Sequence, residues 1–122
     1  MRSAYDPETF RREAHAIVDQ LADHLVRASA GELPVLPPAG PRASIAAWDC
    51  SFEGGADPLA LFQRVIDGSN HLHHPGFVGH QVTAPVPIAG LAELVSGILN
   101  NGMAVYEMGP VSSAMELSLI HI

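Results

Sequence analysis

The 122 residues contain no lysine. That closes to this chain every reaction that needs a side-chain amine, a Schiff base to a carbonyl cofactor among them. Basic charge is scarce altogether: Arg2, Arg11, Arg12, Arg27, Arg42 and Arg64 stand against 13 acidic residues, for a formal net charge of -7. Scattered in this way, six arginines form no stripe able to neutralise phosphates, and nucleic acid is not an expected partner. Cys50 is the single cysteine, so an internal disulfide framework is excluded and a reducing compartment suits the chain. With no activating base in its surroundings, Cys50 reads as a small buried hydrophobe, not a nucleophile. No apolar run approaches the length needed to cross a bilayer. The N-terminal Arg2, Asp6, Glu8, Arg11, Arg12 and Glu13 leave no room for the apolar core of a secretory signal. A cytoplasmic chain without a membrane partner is therefore expected.

What is present is apolar. Hydrophobic residues make up 48% of the chain, enough for one small domain or part of one and too many for a disordered segment. Asp6-Pro7 is helix-start chemistry, because the carboxylate can accept from first-turn amides and proline costs nothing where the N–H is free anyway. Phe10, Ala14, Ile17, Leu21, Leu25 and Ala28 then recur at three- and four-residue steps until Gly31, which predicts a first helix over residues 7–30. Residues 33–41 carry four prolines in nine and read as an extended linker arm. Asp57-Pro58 repeats the start signal for a short second helix, with Leu59, Phe62, Val65 and Ile66 on one face and Gly68 as its end.

A histidine-rich turn at 71–76 leads into residues 77–87, where prolines and glycine predict an irregular crossing segment, the kind of place where function concentrates. From Pro87, the residues Ile88, Leu91, Leu94, Val95, Ile98 and Leu99 predict a third helix closed by Asn100-Asn101-Gly102. Its apolar face is broad enough to require burial against further protein. Residues 103–108 read as a short extended piece, and Gly109-Pro110 opens a last helix of about two turns.

Among chemistry-bearing residues, His71, His73, His74 and His80 are the only histidine cluster. They are crowded and lack the carboxylate or thiolate companions of zinc sites, so a polar turn beside a cleft is expected there, and no metal. His15 and His24 read as solvated or half-buried helix histidines. The glycines follow no strand in the spacing of a phosphate loop, and Ser112-Ser113 has neither an elbow nor a base.

One ordered set of elements does point to a family. His74-Pro75-Gly76-Phe77, then His80-Gln81-Val82-Thr83-Ala84, Leu91-Ala92-Glu93-Leu94, Asn101-Gly102-Met103-Ala104-Val105-Tyr106-Glu107-Met108-Gly109-Pro110-Val111 and Glu116 resemble the group II pyridoxal-phosphate-dependent decarboxylases. Those enzymes include the glutamate, aromatic amino-acid and diaminobutyrate decarboxylases. The resemblance covers residues 71–116 strongly and the preceding helices loosely. It implies a mainly α chain here: an N-terminal helical arm over 1–75 that wraps a partner subunit of a homodimer, and over 76–116 the first elements of a fold-type I α/β cofactor domain.

By the same resemblance His80, Gln81 and Thr83 face the amino-acid substrate, with Gln81 offering a neutral amide donor. Met103 and Tyr106 would wall the pocket or the interface. The cofactor of such an enzyme is pyridoxal 5'-phosphate, and its lysine, stacking histidine and pyridine-nitrogen aspartate belong to parts of the polypeptide not represented here. The chain alone is therefore expected to be inactive. Residues 117–122 break the family pattern and read as a non-native tail. Two other readings are a helical interaction module without an active site and a fold-type I lyase or transferase acting at another bond.

Overall fold

A computed structural model of the chain describes residues 5–36, 39–48, 57–79 and 81–122. The described chain is mainly helical and contains no strand. Five helices follow one another: α1 (Pro7–Ser29), α2 (Pro41–Trp48), α3 (Pro58–Asp67), α4 (Pro87–Leu99) and α5 (Pro110–Ile120), with one 3-10 turn at Tyr106–Met108. They belong to two compact units, Met1–Ala84 and Pro85–Ile122.

In the first unit the helix ends follow their local chemistry. The Asp6 carboxylate accepts from the Thr9 amide at 3.0 Å and from its hydroxyl at 2.7 Å, satisfying a first-turn donor that has no partner within the helix. These bonds hold the Asp6 carboxyl below its usual 3.8. At the other end Gly31 takes φ +73, its N–H reaches the Ala28 carbonyl, and the Glu32 N–H reaches the Arg27 carbonyl. That pair of bonds closes the last turn of α1 in the Schellman arrangement. The helix thus ends at Ser29, capped by Ala30, one residue short of the expectation.

Asp57 caps α3 through the Leu59 amide at 3.1 Å, and α1 packs on α3. Ala14, Ile17, Leu25, Leu59, Leu61 and Ile66 are half-buried in this unit, while Ala28 is its one fully buried apolar residue among those described.

The sequence reading has no counterpart for α2, which follows the proline arm directly. Pro41 stands in its first turn, and Arg64 of α3 ties it down: the guanidinium donates to the Ala47 carbonyl at 2.7 Å and lies 4.7 Å from the Trp48 ring centroid. Cys50, expected to be buried, lies outside the described residues.

In the second unit α4 ends as expected, at Asn100 in the left-handed region with φ 45. Residues 103–108 differ from the expected extended piece: they bend and close in the 3-10 turn. The cause is a backbone closure between two glycines. A Cβ placed on Gly109 would sit 2.4 Å from the Gly102 carbonyl oxygen, so the loop returns upon its own start and has no room to extend. The helix opened by Gly109-Pro110 runs 11 residues instead of two turns, and residues 117–120 continue it without a break. Leu117, Ser118, Leu119 and Ile120 carry that continuation, all compatible with helix.

Little of the apolar surface is enclosed. The accessible area is 9837 Å². A self-contained domain of this length exposes ~6,300 Å², and two separate domains of the sizes of these units about 7,500 Å². Along α4, Ile88, Val95, Ile98 and Leu99 are all more than half exposed. An apolar face of this kind contributes stability only when something covers it.

Candidate functional site

The segment after the histidine turn is where the sequence places a substrate contact. Phe77 anchors its start, half-buried, with its N–H on the His74 carbonyl at 2.9 Å. Beyond it the backbone is irregular and exposed, and Val78 is 93% exposed. Gln81 adopts φ +53, a left-handed conformation uncommon for a residue with a side chain and worth about 1–2 kcal/mol in strain. Gln81 and Thr83 are both exposed and make no side-chain hydrogen bond among the described residues, so an amide and a hydroxyl stand free on one short loop. His80 lies outside the described residues.

Met103 and Tyr106 belong to the second unit, on the loop that the two glycines close. Tyr106 borders a shallow apolar groove along α5 with Pro110, Val111, Ala114 and Met115; Met103 is not part of it. Gln81 and Thr83 belong to the first unit.

Three further features belong to the first unit, of which only the histidine turn was singled out from sequence. One is a cleft of about 240 Å³ between α1 and α3, with Gln20, Asp23, His24, Arg27, Gln63 and Asp67 on its border beside apolar Val26, Leu33 and Ile66. The Gln63 amide donates to Asp67 at 2.9 Å, and the Gln20 Oε1 is enclosed without a partner. A second is the pair His24 and His71, whose rings meet edge to face with centroids 5.2 Å apart. Burial pushes the His24 pKa below its usual 6.5, and His71, His73 and Arg27 push in the same direction.

The third is the turn itself, which folds on its own histidine: the Gly76 amide donates to His74 Nδ1 at 2.9 Å. Only the helical periodicity that placed His24 on the inner face of α1 could have hinted at the His24–His71 pair, because its partner is 47 positions away. No three His, Cys, Asp or Glu side chains converge in a metal-binding group among the described residues.

A covalent link to pyridoxal phosphate needs a side-chain amine. There is no lysine to carry it, and no arginine lies in the loop of Gln81 and Thr83 to meet its phosphate. No protein-family model matches the sequence, and no curated protein is significantly similar to it.

Proposed function

We propose that this chain is a helical arm and pocket wall of a pyridoxal-phosphate-dependent amino-acid decarboxylase that works as a homodimer, with the cofactor held by other parts of the polypeptide. The observation that carries this reading is the ordered run of His74-Pro75-Gly76-Phe77, Gln81-Val82-Thr83 and Asn101-Gly102 through Gly109-Pro110. Two structural facts support it. Gln81 holds a strained left-handed backbone in an exposed loop, and strain of that kind is kept where a side chain must be aimed. The two glycines of the last element meet backbone to backbone, which gives their spacing a physical reason.

In this reading the chain's own residues bind and orient. Gln81 and Thr83 present neutral donors to the polar end of an amino acid, where a charged base would compete for protons near the leaving carboxylate. Exposed apolar residues of α4 are the surface that the remainder of the enzyme covers. The cytoplasm, which lacks the oxidising conditions a disulfide scaffold would need, is the proposed location.

The test is to express the uninterrupted reading frame containing this segment and to measure pyridoxal-phosphate-dependent carbon dioxide release from a panel of amino acids. Gln81→Ala is expected to raise KM more than it lowers kcat. A reading frame without a lysine-bearing cofactor site, or one that releases no carbon dioxide, overturns the proposal.

A second reading, a helix-presenting interaction module, is favoured by the exposure of α4 alone. It predicts that Leu94→Glu abolishes partner capture while Gln81→Ala changes nothing.

A further inference from the structure

His71 is 2% exposed, the one polar residue among those described to be so enclosed. A carbonyl oxygen can only accept, so the bond between His71 Nδ1 and the Pro34 carbonyl puts the ring proton on Nδ1. That leaves Nε2 as a bare lone pair, and Nε2 has no partner. The His71 backbone N–H donates to the Val35 carbonyl at 3.2 Å. His71 thus fastens the turn to the proline arm twice. Its ring also meets His24 of α1 edge to face.

The neighbouring His74 is tied as well. Its Nδ1 accepts from the Gly76 amide, which requires the lone pair, and its Nε2 lies against Gly31 at the end of α1. Three histidines therefore join α1, the arm and the turn.

We propose that His24, His71 and His74 form an acid-released clasp that holds the turn and the start of the Gln81 loop against α1 near neutrality and lets go in mild acid. A proton on His71 Nε2 becomes an enclosed donor without an acceptor, beside a second imidazole. A proton on His74 Nδ1 displaces the Gly76 amide. The charged groups around His24 do not offset this. His73 on the turn and Arg27 on α1 oppose its charging; Asp67 on α3 favours it but is the weakest of the influences on it.

The direction with pH follows from linkage. His24 binds its proton less readily folded than unfolded, so its contribution is complete above about pH 6.5 and is lost as pH falls through the lower folded value. The inference rests on α1, Pro34, Val35 and residues 71–77 and is independent of the enzymatic reading.

The experiment is a pH titration of the full chain followed by NMR. The His24 Cε1–H signal reports its protonation. Exchange of the His71 amide, corrected for the intrinsic pH dependence of exchange, reports the clasp. His24 is expected to titrate below its usual 6.5, and His71 protection is expected to collapse as pH falls while amides inside α1 stay protected. In His24→Phe, which keeps a ring but cannot charge, the collapse moves to lower pH. The clasp is overturned by His24 titrating at or above 6.5, by His71 protection that ignores pH, or by a midpoint unmoved in His24→Phe. The two wild-type measurements decide the matter even where the variant does not fold.

Discussion

Replacing Gly109 by alanine tests the loop closure directly. Its φ of -156 is extended backbone open to any residue, so the cost is steric and not conformational. The added Cβ would stand 2.4 Å from the Gly102 carbonyl oxygen, whereas ordinary carbon–oxygen contacts begin at about 3.3 Å. Two stretches of backbone must therefore separate by roughly 0.9 Å, a distortion in the range of overpacking costs, about 1–3 kcal/mol. The loss falls on the start of α5, because the Gly109 carbonyl accepts the Ser113 amide at 2.9 Å.

Two other glycines supply the contrast. A Cβ on Gly102 meets only the movable end of Met108, at 2.9 Å, so Gly102→Ala costs under about 1 kcal/mol. A Cβ on Gly97, inside α4, meets nothing within 4 Å, and Gly97→Ala is expected to stabilise by ~0.5–1 kcal/mol. Urea titrations followed by helical circular dichroism, with exchange of the Ser113 amide as the local probe, order the three variants. The reasoning is refuted if Gly109→Ala unfolds at the wild-type midpoint, or if Gly102→Ala costs as much.

Gly31→Ala should lower stability by about 1–2 kcal/mol and Gly31→Asn by less, since the burden there is the positive φ and not space; thermal melts of the pair distinguish strain from clash. Arg64→Ala removes both the cation over Trp48 and the donor to Ala47, at a cost of ~0.5–1 kcal/mol, and should change Trp48 fluorescence; unchanged emission would contradict the contact. The capping carboxylate of Asp6 is held below 3.8 by its bonds to Thr9, so its stabilisation is present above that pH and lost as pH falls through the lower folded value. Asp6→Asn is expected to flatten that part of the stability–pH curve, measured as urea midpoints between neutral and acid pH. Because α4 exposes Ile88, Val95, Ile98 and Leu99, the chain should associate with rising concentration, and Ile98→Glu should shift sedimentation toward the monomer.

Helix starts and stops proved legible wherever they depend on the chain's nearest neighbours. Asp6-Pro7, Asp57-Pro58, Gly31 and Asn100 all act through bonds spanning six residues or fewer, and α1, α3 and α4 lie where that chemistry puts them. What escaped depends on partners distant in sequence. α2 has weak local signals, since Gly40 before it offers no side chain for a cap, and it is tied to α3 by Arg64, 17 positions from Ala47. The closure of residues 102–109 needs two backbones in register, which no periodicity encodes. In the candidate site the Gln81 loop could be located because proline and glycine forbid regular structure there, but the sign of the Gln81 φ is not written in its residue type. The His24–His71 pair was hidden for the same reason as α2: each member looks ordinary until the fold brings the other beside it.

The pinch between Gly102 and Gly109 carries a consequence for how such a segment can change over time. With its two ends fastened to each other, the six-residue bead between them takes little of its shape from what its side chains are. Met103 and Tyr106 can therefore be exchanged for other residues while the helices on either side keep their footing, and novelty in whatever this bead touches comes at small structural risk so long as both glycines stay.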